Sequence, residues 1–215
     1  MKLKIPFYPN KPKDETDKHG HYCQEMSLMS IINFFEQSKY SFDDMIGITS
    51  RKPDKACWAF PYSLWLIDNG YSVKRITTVD YDAFARNGIA YIRQAYGDEI
   101  AQWQAEESDI ELALETVDEY IEKVELINKQ PMTDDINSAM EEGYLVKLMI
   151  DHSVLNASDR YLPHSVTVTG FDSTHFYIHD SGLPPLENRK IETSLLQAAM
   201  DSFGGEMDLI KLLGR

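Results

Sequence analysis

Cysteine is scarce in this sequence, because only Cys23 and Cys57 occur among 215 residues. Two cysteines cannot make the disulfide framework of a small secreted protein, so that class is excluded. We therefore expect a protein of a reducing compartment, the cytoplasm, where a thiol stays free. Each cysteine is then either a buried core residue or a reactive thiol.

Long apolar runs and excess positive charge are also missing. No apolar stretch approaches the length of a membrane-spanning helix, and residues 1–6 lack the apolar core of a signal peptide. The formal net charge is −14 and the isoelectric point is about 4.8. Nucleic acids and anionic membranes are bound by basic patches, so neither is an expected partner. No phosphate loop or dinucleotide fingerprint is present, and no cofactor is expected.

The order of predicted elements indicates the α+β class. Hydrophobic periodicity places helices at about 23–37, 41–49, 61–69, 81–86, 90–96, 108–128, 133–142 and 193–203, and strands at about 2–7, 71–77, 144–150, 164–171, 175–179 and 207–213. Most strands come last, which predicts a helical half packed on an antiparallel sheet. Residues 1–215 suit one domain with a real core. We interpret the acidic, helical residues 79–129 as an insertion, either a lid or a packing layer.

A cysteine lies where a polar loop turns into an apolar helix. From Met26 to Phe35 only two serines and one asparagine are polar, so this helix is expected to be buried on most faces. Its first turn then holds the Cys23 thiol in a fixed position, where free N–H groups and the helix dipole favour thiolate. A buried structural cysteine is the alternative.

A predicted hairpin supplies a partner for this thiol. If its turn centres near Asp172, His164 lies opposite Asp180 on the neighbouring strand. A carboxylate there would bind one imidazole nitrogen and leave the other to meet a thiol. Cys23, His164 and Asp180 are therefore the candidate catalytic residues of a cysteine nucleophile site.

Three segments of the sequence resemble the C39-type, papain-like cysteine peptidases. Residues 23–35 resemble their nucleophile helix, 163–172 their histidine-containing strand, and 177–182 their Asp-Pro-Gly segment. The resemblance implies a papain-like fold, with Cys23 as nucleophile, His164 as base and then acid, and Asp180 as the orienting group. It also implies attack on the carbonyl of a peptide or a small acyl or amide substrate through a thioester intermediate.

Two positions differ from the family's pattern. Gln24-Glu25 replaces Gly-Pro after the cysteine, and a carboxylate in this turn opposes thiolate formation. The family's oxyanion-binding glutamine, five or six residues before the cysteine, is replaced by Lys18 and Asp17. The Cys23 N–H is one expected oxyanion donor. The second is left open in the set Gln24, Lys18, His19 and His21.

Several alternatives remain beside hydrolysis. The same scaffold suits an acyltransferase, or a non-catalytic binding protein that keeps the cleft. A metal site at His19, His21 and Cys23 would take a fourth ligand such as His179 or Asp180, although we favour no metal. Other titratable residues have weaker cases: Cys57 has no evident base. Asp151 and His152 follow a predicted strand and are candidates to line the cleft, although we favour a turn role for them.

Overall fold

The computed structural model describes residues 1–10, 22–182 and 184–214. Within these residues lie ten helices and one seven-stranded sheet. The helices are α1 Cys23–Phe35, α2 Phe42–Ile48, α3 Ala59–Asp68, α4 Tyr81–Asn87, α5 Ile89–Tyr96, α6 Asp98–Glu107, α7 Ile110–Lys123, α8 Thr133–Glu141, α9 His152–Asn156 and α10 Thr193–Phe203. The strands are β1 Tyr71–Thr77, β2 Glu125–Asn128, β3 Leu145–Asp151, β4 Pro163–Phe171, β5 His175–Asp180, β6 Leu186–Glu192 and β7 Glu206–Leu212.

The sheet has the strand order β2-β1-β7-β3-β4-β5-β6. Its neighbours pair antiparallel except β1 and β2, which run parallel. The mixture of helices and one mainly antiparallel sheet is consistent with the expected α+β class. The expectation of a wholly antiparallel sheet is wrong at β2, which occupies the end of the helix predicted at 108–128.

Helices cover both faces of the sheet. Every residue of β3 is buried, as both-sided covering requires. The sheet separates two hydrophobic cores. In the first core α1 packs on β3 and β4, and α3 packs on β1; in the second core α8 and α10 pack on β3. The expected helical half on one side of the sheet therefore needs correction to two helical layers.

The helices of residues 79–129 form part of the first core. Helix α7 packs against α3, with the rings of Phe60 and Tyr120 4.5 Å apart between their centroids. Ala113, Val117 and Tyr120 are buried on its inner face. This packing fits the layer interpretation better than the lid; that the segment is an insertion stays a prediction.

The N-terminal segment is extended, but it is not the strand expected at 2–7. It pairs with β4 only at an isolated bridge between Lys2 and Gly170. The Leu3 N–H also donates to the Thr169 carbonyl at 2.7 Å. Further along, the Asn10 N–H donates to the Ser181 carbonyl at 2.9 Å, which brings this segment beside the end of β5.

No helix in the described ranges is long and apolar enough to cross a membrane.

Candidate functional site

Cys23 is the first residue of α1. From Glu25 to Asn33 every residue of this helix is buried, whereas Cys23 is partly exposed. No side-chain hydrogen bond caps the helix in the part of the chain that the structure describes. The first N–H groups of a helix have no intrahelical acceptor, and the Cys23 N–H is one of these groups in α1.

His164 and Asp180 occupy neighbouring strand ends. His164 is the second residue of β4 and Asp180 is the last residue of β5. The expected direct pairing is wrong, because Thr167 pairs with His179 and Val168 with Ile178, which shifts the register by two residues. The side chains still meet, since diagonal neighbours on adjacent strands lie within reach of long side chains.

The three candidate catalytic residues form a continuous chain of side-chain contacts. The Cys23 thiol is hydrogen-bonded to the His164 imidazole, and it also receives a hydrogen bond from the Ser165 backbone N–H. His164 Nε2 lies 2.9 Å from Asp180 Oδ1. Because Asp180 engages Nε2, the nitrogen that remains for the thiol is Nδ1.

These contacts move the two pKa values in opposite directions. Burial raises the pKa of the Cys23 thiol, but the hydrogen bond and charge of His164 and the Ser165 N–H lower that pKa below its usual value. Burial lowers the pKa of His164, but Asp180 and Cys23 raise that pKa to about 9. The geometry therefore favours a thiolate–imidazolium pair near neutral pH.

Asp180 is also bound by groups that the sequence reasoning missed. His152 Nε2 and Arg189 Nη1 lie 3.0 and 2.9 Å from Asp180 Oδ2, and the Gly182 N–H donates to Oδ1 at 3.1 Å. The expected turn role fits Asp151, which caps α9, but it does not fit His152. Arg189 lies on β6, which the sequence did not predict because residues 186–192 are mostly polar. The position of His152 directly after a central strand was the one sequence signal that could have pointed to its place in the site.

His152, His164 and Asp180 also have the ligand types of a cation site, with ligand atoms within 4.8 Å of one another. However, four N–H donors already surround the carboxylate, and one belongs to the Arg189 guanidinium. A positive charge at this position opposes a metal ion. We therefore describe the cluster as a hydrogen-bond network.

The negative charge of Glu25, in the same helical turn as the Cys23 thiol, is balanced by an ion pair. Both its oxygens lie 3.2 Å from Arg51 Nη1, and its side chain is wholly buried. Thr49 also donates to it at 3.3 Å. Among the influences on Cys23, the charge of Glu25 is a minor one that raises the thiol pKa.

The second cysteine is a hydrogen-bond partner of this carboxylate. The Cys57 thiol donates to Glu25 Oε1 at 3.5 Å and is buried. Burial, followed by the charge of Glu25, raises the pKa of Cys57 well above its usual value. Cys57 is therefore held as a thiol, and only Cys23 has an imidazole partner in the described residues.

Of the side chains considered as the second oxyanion donor, the structure describes Gln24 alone. Gln24 lies beside Cys23, but its amide points to the Cys57 carbonyl at 3.5 Å. Lys18, His19 and His21 lie outside the described residues, as does the metal site expected from the two histidines. His179, a suggested fourth ligand, uses both ring nitrogens on the backbone: Nε2 on the Ile5 carbonyl at 2.9 Å and Nδ1 on the Asn188 N–H at 3.2 Å.

Comparison with known families agrees with the resemblance seen in the sequence. Residues 104–204 match the model of a family described as Peptidase_C39-like. The match covers slightly less than half of the chain and includes His152, His164, Asp180 and Arg189, but not Cys23. No curated protein matches the chain.

Proposed function

We propose that this protein is a cysteine hydrolase of the papain-like type, with Cys23 as nucleophile, His164 as proton carrier and Asp180 as orienting group. The hydrogen-bonded chain from the Cys23 thiol through His164 to Asp180 is the observation that carries the proposal. A thiol at a helix start, an imidazole and a carboxylate are the parts that nucleophilic catalysis by cysteine needs. The C39-like match of residues 104–204 supports the same class.

The papain-like fold belongs to the same proposal. Helix α1, with the thiol at its start, packs on β4, and His164 and Asp180 come from β4 and β5. We infer one domain over residues 1–215 that contains the helical insertion 79–129. Both cysteines are free, which suits the reducing cytoplasm.

The proposed substrate is an amide, ester or thioester carbonyl, in a peptide or a small acyl compound. The Cys23 sulfur attacks the carbonyl carbon and forms a C–S bond, and the bond to the leaving group breaks as the His164 imidazolium gives it a proton. Water then attacks the thioester, His164 takes a proton from the water, and the C–S bond breaks. The acid product leaves and the thiolate–imidazolium pair is restored after proton transfer.

The tetrahedral intermediates need donors for their oxyanion. The Cys23 N–H, at the start of α1, is the first proposed donor. Gln24 is the described side chain closest in sequence, and its amide would have to turn from the Cys57 carbonyl to serve. An acyltransferase differs only in the second step, where an amine or alcohol replaces water.

The proposal is tested by trapping the acyl intermediate. The protein is mixed with p-nitrophenyl acetate, and intact mass and peptide mapping locate the acetyl group. We expect rapid release of p-nitrophenol with transient acetylation of Cys23, retained in Cys57→Ser and lost in Cys23→Ala. Acetylation that is equal in Cys23→Ala would overturn the proposal.

Added hydroxylamine or a small amine separates the two enzyme classes. Release of free acid at an unchanged rate supports a hydrolase, whereas transfer to the amine with a faster second step supports an acyltransferase. A folded protein that forms no Cys23 adduct is a binding protein that retains the cleft.

A further inference from the structure

Asp180 has a complete shell of hydrogen-bond donors. Its two oxygens accept from His164, His152, Arg189 and the Gly182 N–H, all at 2.9–3.1 Å. An ionised carboxylate offers about four lone-pair positions, so this shell fills them. The carboxylate therefore has one fixed orientation, and His164 shares it with two other side chains.

A second imidazole donates to this carboxylate. Because the carboxylate only accepts, His152 Nε2 carries the proton that points to Asp180 Oδ2. The other nitrogen, Nδ1, faces the Asn156 amide nitrogen at 3.1 Å, which lies 3.2 Å from Nε2 as well. That amide also donates to the His152 carbonyl at 3.0 Å, which holds a donor, not an acceptor, beside Nδ1. His152 therefore contributes a hydrogen bond to Asp180 from the start of α9.

Arg189 contributes a hydrogen bond with a charge. Nη1 binds Asp180 Oδ2 at 2.9 Å, and Nη2 donates to the Leu155 carbonyl of α9 at 2.7 Å. Its side chain is 16% exposed, against 1% for Asp180, so the pair is poorly screened by water. The guanidinium thus fixes the carboxylate and offsets part of the negative charge that His164 experiences.

Resting on the proposed function, we propose that Arg189 and His152 are positioning residues: they share Asp180 with His164 and thereby set how tightly His164 holds its proton toward Cys23. Three titratable side chains surround His164: Cys23, which belongs to α1, His152, which belongs to α9, and Asp180, which belongs to β5. Arg189 of β6 acts on His164 through Asp180. The Glu25 charge, also on α1, is paired with Arg51.

The sign of the effect follows from charge. An imidazolium is stabilised by a nearby carboxylate, and a cation on the same carboxylate weakens that stabilisation. Removal of the Arg189 charge therefore strengthens the hold of His164 on its proton, provided that Asp180 stays in place. His152, Gly182 and His164 itself still bind Asp180 in that variant.

The test is the titration of the His164 ring by NMR in the Cys23→Ala protein, which removes the thiol from the equilibrium. We expect Arg189→Met to raise the pKa of His164 by about one unit, while Arg189→Lys, which keeps the charge, stays close to the parent. His152→Leu is expected to raise the pKa by a smaller amount, and His152→Gln, which keeps a donor, to restore it. Arg189→Gln replaces the methionine variant if that variant does not fold.

An unchanged or lowered pKa of His164 in folded Arg189→Met or Arg189→Gln overturns the proposal, as does an equal rise in Arg189→Lys. The titration needs no activity. Failure of Cys23 acylation in the parent therefore refutes the proposed function alone, whereas an unshifted His164 refutes the positioning role alone.

Discussion

Glu25 lies in the first turn of the helix that carries Cys23, the proposed nucleophile, where an unpaired carboxylate would oppose thiolate formation. The structure resolves this conflict with Arg51, which lies 3.2 Å from both carboxylate oxygens. The sequence revealed the unfavourable charge, but its partner comes from a loop 26 residues away. Only the folded chain shows that the charge is balanced.

Arg51→Met should therefore affect both stability and reactivity. Loss of one partner of a buried ion pair leaves the other charge unpaired, which costs about 3–5 kcal/mol in the free energy of unfolding. The unpaired Glu25 should also raise the pKa of the Cys23 thiol, so that alkylation needs a higher pH. Urea unfolding and the pH dependence of iodoacetamide reactivity measure the two effects.

The matched control is the double variant Glu25→Gln/Arg51→Met, which removes both charges together. We expect it to recover most of the lost stability and the alkylation profile of the parent. A single Arg51→Met variant that matches the parent in both measurements would show that this ion pair does not shape the site.

At the scale of the elements, strongly patterned segments were predictable and weakly patterned ones were not. The β3 run is apolar enough to identify as a central strand, and α1, α3 and α10 were found to within a few residues. Strand β6 was missed because Ile191 is its one buried residue, and α6 because only Ala101 is buried. The short β2 was absorbed into a helix prediction, since its parallel partner β1 is distant in sequence.

Prediction of the candidate site from the sequence was limited in the same way. Cys23, His164 and Asp180 were chosen as candidates from residue type and spacing, and the structure brings their side chains together although the hairpin register was two residues in error. Arg189 could not be placed because its strand was not predicted. His152 was seen but not used, because no sequence pattern shows that β3 and β5 bring their ends together.

The contact between the N-terminal segment and β4 depends on a glycine. A Cβ at Gly170 would lie 2.6 Å from Lys2 Cα and closer still to the Met1 carbonyl oxygen. Gly170→Ala should therefore displace the segment and destabilise the protein by about 1–3 kcal/mol, measured by urea unfolding.

Gly47→Ala in α2 is the control, because a Cβ there meets nothing within 4 Å. It should be neutral or slightly stabilising. If Gly170→Ala is equally harmless, the N-terminal segment does not contribute to the stability of the fold.

At the scale of the whole molecule, a buried polar cluster joins the sheet to its first helical layer. Lys147 on β3 donates to the Tyr62 hydroxyl of α3 at 3.0 Å, and Tyr62 donates to Asp208 of β7 at 2.6 Å. Arg75 of β1 forms an ion pair with Asp208. Such a cluster inside a core is invisible to hydrophobic patterning, which assigned these strands correctly but assumed apolar interiors.

Asp208→Asn should destabilise the protein by about 3 kcal/mol at neutral pH, because it leaves buried cations without their shared carboxylate. Burial raises the pKa of Asp208, but Arg75 and Lys147 lower it below its usual value. The stabilisation is therefore present above about pH 4 and is lost as the pH falls through the folded-state pKa. The difference in urea midpoint between parent and variant should narrow below about pH 4.

Asp118→Asn, the same change at an exposed position of α7, should leave the unfolding midpoint unchanged. If the difference in urea midpoint between the parent and Asp208→Asn does not narrow below about pH 4, the assignment of Asp208 as an ionised carboxylate is contradicted.

The central claim is that Cys23 and His164 form a thiolate–imidazolium pair, and the alkylation rate of Cys23 against pH tests it most directly. In the Cys57→Ser background, we predict that the rate of Cys23 alkylation by iodoacetamide stays high down to about pH 6. When His164→Ala is added, the rate at pH 6 should fall sharply. A rate in the parent that rises only near the ordinary thiol pKa of about 8.5 would contradict the account.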